Sequence, residues 1–212
     1  PLCMNTIVGE VRQQIGGQSY SSGAPVGRVL EIWQKGAPSI AAFGADIYQE
    51  HKSGYLATCE SHARLGNPLF IPETGTGGEG FAINHIHAAA DYNAIGICGF
   101  GAESTLDGNG RLTEASQKVA DTLEIIRSMS HMLQQNGGTE KIFCVTQEEF
   151  QKLAYVKRKL YHITFYFTTL NEKGRPLGKN LRVCGKLAEN PDAFNQRGRA
   201  VIYEASPSEY YI

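Results

Sequence analysis

The sequence predicts an α/β protein in which parallel strands alternate with helices before giving way to a small all-β unit. Three observations lead there. Over the first two thirds, apolar runs of strand length alternate with stretches whose apolar residues recur at helical spacing. The run Pro68-Leu69-Phe70-Ile71-Pro72 is apolar on both faces, as a central parallel strand is. Past Gly138 the period changes from helical to alternating. Four strand–helix units with right-handed crossovers fit half of an eight-fold barrel or most of a doubly wound sheet.

Residues Pro1 to Thr6 read as the first strand. The polar loop Gly16 to Gly23 leads to Pro25, suited to a first helical turn, and Val26, Val29, Leu30 and Trp33 then mark an amphipathic helix with Trp33 in the core. Gly36 and Pro38 end it. Ile40 to Tyr48 follows as a strand with Asp46 and Tyr48 at its tip, then a polar helix from Gln49 to Leu65. The next strand closes on Glu73, and Phe81, Ile83, Ile86, Ala89 and Ala90 mark the helix after it. Ala94 to Phe100 is a buried strand followed by the loop Gly101 to Gly110. Thr113 is suited to cap one long helix carrying Val119, Leu123, Ile126, Met129 and Leu133, which Gly137-Gly138 terminates. These units make a first domain over residues 1–137. In a second, over 138–212, the stretches 141–145, 161–167, 181–184 and 199–203 read as strands, the last of them truncated.

At 212 residues the chain can bury one good core and a smaller second unit. A net charge of −1 argues against nucleic-acid and membrane-surface partners, which reward concentrated positive charge. The short basic run Lys157-Arg158-Lys159 suits a solvated turn or strand edge. Five scattered cysteines without a CxxC pair make no disulfide framework; several lie in apolar runs, where cysteine acts as a small hydrophobe. No membrane span or leader is evident, and a start at Pro1 and a stop at Ile212 suggest a piece of a longer protein.

Glu73 is the leading candidate for chemistry, because a carboxylate at the end of a buried parallel strand stands where α/β enzymes keep their sites. A strand cap or loop salt bridge would explain the same position. The segment Gly75-Thr76-Gly77-Gly78-Glu79-Gly80 spells GxGxxG after a strand, and Glu103 follows the next strand, as in a nucleotide-binding oxidoreductase domain that would use Gly75, Gly77 and Gly80. Against this, Pro72 offers no N–H, and Glu73 would set a negative charge beside the phosphates. A glycoside hydrolase instead needs two carboxyls, about 5–5.5 Å apart when configuration is retained. Glu73 suits the nucleophile, with Tyr48 placed to donate a hydrogen bond that favours its ionised form.

Six segments carry a resemblance: 1–5, Gly23-Ala24-Pro25-Val26 through Trp33, 37–40, Ala45-Asp46-Ile47-Tyr48, Asn67 through Glu73, and 94–97. In this order they resemble the later half of a bacterial-type β-galactosidase family close to glycoside hydrolase family 35, a retaining (β/α)8 clan with a β-rich C-terminal domain. Residues 198–202 through 207–210 resemble the end of that domain. The resemblance implies strands five to eight of a TIM barrel followed by a partial β-sandwich, and hydrolysis of terminal β-galactosides by double displacement without a cofactor. It implies Glu73 as nucleophile and an acid/base glutamate outside this chain, so that the fragment alone is inactive. Asn5, Tyr48 and Glu103 are expected to hydrogen-bond the sugar, and Phe100 to stack on it. A carbohydrate partner follows from the same resemblance, which favours an extracellular or periplasmic setting and leaves a cytoplasmic one open. A non-catalytic carbohydrate-binding or structural piece is a further alternative.

No metal is expected. His85 and His87, at i and i+2, do not face one way on a helix, and no Asp, Cys or third His is read as standing near them. Phe43, Phe70 and Phe81 are expected to pack between strands and helices, and Tyr161, Phe165, Tyr166 and Phe167 to fill a sandwich.

Overall fold

The structure is a computed structural model that describes residues 1–64, 66–148, 151, 153–158, 162–167 and 198–212. It contains mixed helices and strands in the expected α/β order. Strand β1 (Leu2–Ile7) leads through a 3-10 turn at Gly27–Val29 into helix α1 (Leu30–Gly36). Then come β2 (Ile40–Asp46), α2 (Lys52–His62), β3 (Phe70–Thr74), α3 (Glu79–Ala90) and β4 (Gly96–Gly99). Helices α4 (Glu114–Ser128) and α5 (Ser130–Asn136) complete the first part.

The four strands lie side by side in chain order and all run parallel. β1 pairs with β2, placing Asn5 beside Gly44 and Ile7 beside Asp46. β3 pairs with β4. The two pairs meet where Ile47 bridges Thr74: the Ile47 N–H donates to the Glu73 carbonyl at 2.9 Å, and the Thr74 hydroxyl donates to the Ile47 carbonyl at 2.8 Å. Asn67 ties β2 to the approach of β3. Its Oδ1 accepts from the Phe43 N–H at 2.8 Å, and its Nδ2 donates to the carbonyls of Phe43 and His62.

Helices cover one face of this sheet. Ala45 and Ile71 of the strands, with Val8, Ile47 and Leu69 at strand ends, meet Tyr55 and Cys59 of α2 and Ala88 of α3, all of them buried. α3 is buried from Ala82 to Ala90, as a helix packed on more than one side must be. Its other side joins a second cluster, in which Ile86, Ala89 and Ala90 meet Leu133 of α5, Ile142 and Val201. That cluster spans both sides of residue 137.

Ile142 and Val201 belong to β5 (Ile142–Thr146) and to the later strand at Arg199–Ser206. Between them lie β6 (Leu153–Lys157) and β7 (His162–Tyr166), an antiparallel pair. With the Arg199–Ser206 strand as β8 and Glu209–Tyr211 as β9, a second antiparallel sheet has the order β5-β8-β9. The alternating period after Gly138 therefore did mark strands. β6 and β9 were not anticipated, and the expected strand at 181–184 lies outside the described residues. Arg158 of the basic run stacks its guanidinium 3.9 Å from the centre of the Phe143 ring and pairs with Glu204 at 3.5 Å, a packing role.

Several boundaries differ from expectation for local reasons. The helix expected from Thr113 onward divides at Met129 (φ −97°, ψ 5°). The Ser128 hydroxyl donates to the Ile125 carbonyl at 2.7 Å, a back-bond that bends helices. Thr113 does cap α4, accepting from the Ser116 N–H. Trp33 is half-buried rather than central, donating its indole N–H to the Gly23 carbonyl at 3.0 Å. Among the described residues no helix is long and apolar enough to cross a membrane.

Candidate active site

The candidate residues gather at the C-terminal ends of the parallel strands. Glu73 is the penultimate residue of β3, with Thr74 after it, and is half-buried. Its two carboxylate oxygens are held separately. Tyr48, just past β2, donates its hydroxyl to Oε2 at 2.8 Å, and Asn5 of β1 donates Nδ2 to Oε1 at 3.2 Å. Three successive strands thus converge on one side chain. Close packing behind it sets the β3 backbone: a Cβ on Gly44 of β2 would come within 2.7 Å of the Pro72 ring and 3.1 Å of Phe70.

Asn5 does more than reach Glu73. The same Nδ2 lies 3.5 and 3.4 Å from the two oxygens of Asp46, so one amide spans two carboxylates. Asp46 is only 4% exposed. Burial and the neighbouring Glu73 charge raise its pKa to about 6, against the pull of the Asn5 amide. In the sequence Asp46 stands at a strand tip with no role assigned to it. Its signal was positional: it stands two residues before Tyr48 at the same strand end.

The Tyr48 hydroxyl is pushed up to about 12 by partial burial, by its bond to Glu73 and by the charges of Glu73 and Asp46. It therefore stays protonated, and a donor, throughout the range in which a carboxylate pair works. Phe100 follows β4 and meets Tyr48 edge to face, ring centres 6.4 Å apart at 84°. With 61% of its surface exposed, it offers an open aromatic face at the mouth of the cluster. Glu103 is not part of this group. It lies exposed on a 3-10 turn at Ala102–Thr105 and bonds none of these residues.

The glycine-rich loop after Glu73 is filled by the chain's own atoms. A Cβ on Gly75 would meet the Phe81 ring, one on Gly77 the Ala115 side chain at 3.2 Å, and one on Gly80 the Glu50 side chain. Gly78, at φ 98°, precedes α3 in a backbone conformation that favours glycine. Glu79 occupies the first turn of α3 and pairs with Lys118 and with Arg199. Each glycine of the GxGxxG spacing thus has a packing or backbone reason of its own.

His85 and His87 do turn to different surroundings, as their spacing predicts. His85 lies between Tyr55 and Phe81, its ring centre 6.2 Å from each. His87 instead bonds Asp91, which stands four residues on and corrects the expectation that no such ligand is near. Comparison with known proteins returned no matching family and no matching curated protein, so the residues and their geometry carry the functional argument.

Proposed function

We propose that this chain carries the nucleophile's side of a retaining, β-galactosidase-like glycoside hydrolase site. The observation that supports it most is the bonding of Glu73, whose oxygens accept separately from Tyr48 and Asn5 at the C-terminal end of a parallel strand. A carboxylate nucleophile must be aimed at an anomeric carbon, and two donors from the preceding strands hold its two oxygens separately. Phe100 beside Tyr48 provides the stacking surface that a sugar ring uses. Asn5 and Tyr48 are then the groups that also meet sugar hydroxyls, whereas Glu103 is left with no such part.

In this reading the parallel strands are the fifth to eighth of a (β/α)8 barrel. Their side-by-side arrangement in chain order agrees with a barrel and departs from a doubly wound sheet, where the order reverses at a switch point. Exposed Leu2 and Ile7 on β1, and Ile95 beside β4, agree with a sheet that continues past both of its edges. The antiparallel strands after residue 137 are read as part of a β-sandwich appendage.

The reaction proceeds by attack of Glu73 on the anomeric carbon while an acid/base carboxyl protonates the departing oxygen. That carboxyl then draws a proton from water, which attacks the glycosyl-enzyme and frees the sugar. Asp46 is too enclosed to protonate a leaving group, so the acid/base is assigned to a part of the protein outside these residues. Asp46 instead holds Asn5 in place and sets the field around Glu73.

The complete protein should hydrolyse a nitrophenyl β-galactoside and lose nearly all turnover in Glu73→Gln. An activated 2-fluoro-galactoside should leave a covalent label on Glu73, found by peptide mass spectrometry. Undiminished turnover in Glu73→Gln would sink the nucleophile assignment. Robust turnover by the 212 residues alone would remove the need for an outside acid/base.

A further inference from the structure

Away from Glu73, three metal-ligating side chains converge where α3 meets β5. His87 and Asp91 stand one helical turn apart, Asp91 being the residue that closes α3. Cys144, in the middle of β5, faces both. His87 Nδ1 lies 2.6 Å from Asp91 Oδ2 and 2.9 Å from Cys144 Sγ, while Sγ lies 3.4 Å from the same Oδ2. The Cys144 backbone N–H donates to the other oxygen, Oδ1, at 3.3 Å, which steers Oδ2 toward the ring.

Such a trio could serve as a nucleophilic thiol relay or as a chelate, and the ring nitrogens decide between them. A relay requires the thiol on one imidazole nitrogen and the orienting carboxylate on the other. Here thiol and carboxylate both address Nδ1, and Nε2 is taken by Thr146 Oγ1 at 3.0 Å. Three donor atoms pointing at one place, all within 4.8 Å of one another, form the inner face of a coordination sphere.

We propose that His87, Asp91 and Cys144 bind a divalent transition metal of the zinc class, with three protein ligands and a fourth position open to water. One nitrogen, one carboxylate oxygen and one thiolate suit a borderline-soft tetrahedral ion and do not suit magnesium or calcium, which take oxygen. Bonds of about 2.0–2.3 Å require donor atoms roughly 3.3–3.6 Å apart, so the trio opens by less than about 1 Å to admit the ion. On binding, the Cys144 thiol proton passes to solvent, and the neutral His87 ring carries its single proton on Nε2, which leaves the Nδ1 lone pair for the metal. The Nε2–H donates to Thr146, an outer partner that fixes the ring with Nδ1 toward the metal. Lys52 also donates to Thr146, but its charge is offset by Glu148 at 2.6 Å.

The ligands bridge α3 to β5 over the apolar cluster of Ile86, Ala90, Leu133 and Ile142, so the ion clamps the antiparallel sheet to the helical layer. This site is independent of the glycosidase reading. The test titrates the metal-stripped complete natural chain with cobalt(II) and then zinc(II). Uptake of about one cobalt per chain is expected, with a near-ultraviolet thiolate-to-cobalt charge-transfer band that zinc displaces. Zinc should also raise the thermal midpoint. Cys144→Ser and His87→Gln should lose the band, while Cys98→Ser, at an exposed cysteine, keeps it. Absence of the band in the natural chain overturns the proposal, as does a band that survives Cys144→Ser. Should those variants fail to fold, X-ray absorption on the zinc-loaded natural chain decides: one sulfur in the shell supports the site, and none overturns it.

Discussion

The Tyr48 hydroxyl donates to Glu73 Oε2 at 2.8 Å, across the gap between the ends of β2 and β3. The bond fixes the carboxylate's rotation, because Oε1 is separately held by Asn5. Tyr48→Phe keeps the ring against Phe100 and removes only the donor. On the proposed glycosidase reading kcat/KM should fall on the order of tenfold to a hundredfold, with substrate binding changed less than turnover. Steady-state kinetics on an aryl β-galactoside measure this, and an unchanged kcat would mean that the tyrosine merely packs.

Gly44 sets the position of Glu73 from behind. A Cβ there would lie 2.7 Å from Pro72 Cδ and 2.9 Å from Pro72 Cγ, in a ring with no soft torsion to yield. Gly44→Ala should therefore cost roughly 1–3 kcal/mol of stability and displace the carboxylate that follows Pro72. Thermal denaturation reads the first effect and kcat the second. Full activity together with an unchanged midpoint would show that β3 shifts freely.

Strand-level features of this site were legible because they are local. The apolar run into Glu73 and the tip position of Tyr48 needed only period and neighbours in sequence. Asp46 was not legible as a partner, because its link to Glu73 passes through Asn5, which is 41 and 68 residues away from them. That link depends on the β1–β2 register, which no single segment encodes. Glu103 stands apart from the cluster for the complementary reason: it follows a strand end in sequence, but the left-handed Gly101 (φ 71°) turns the chain into a 3-10 turn. The Cys144 contact of His87 was equally hidden, since it pairs a helix with a strand more than 50 residues later.

Asp46 gives the site a pH signature. Its carboxyl is raised from 3.8 to about 6 by burial and by Glu73, so between those values the folded chain holds a proton that the unfolded chain has released. Stability from this group consequently falls as pH rises from about 4 to about 6, and the penalty is complete above that. Asp46→Asn removes it while leaving an oxygen to accept from Asn5. The variant should be more stable than the natural chain at pH 7, on the order of 1 kcal/mol, with the gain shrinking toward pH 4. Denaturant unfolding at both pH values checks this; a gain that grows on acidification would contradict it.

His85 pulls in the opposite direction. It is 1% exposed, neither ring nitrogen has a hydrogen-bond partner among the described residues, and burial lowers its pKa from 6.5 to about 4. Below pH 6.5 the unfolded chain takes up a proton that the folded chain refuses, so stability is lost as pH falls from about 6.5 to about 4. His62, also buried and lowered, adds a loss of the same sign. His85→Leu keeps apolar contact with Tyr55 and Phe81 and removes two unpaired nitrogens. At pH 7 its stability should lie near that of the natural chain, and at pH 4.5 it should exceed it on the order of 1–2 kcal/mol. His62 contributes to the acid loss that remains. An acid limb identical in the two proteins would mean that His85 finds a proton partner on folding, and the assignment of a neutral, unpaired imidazole would fall with it.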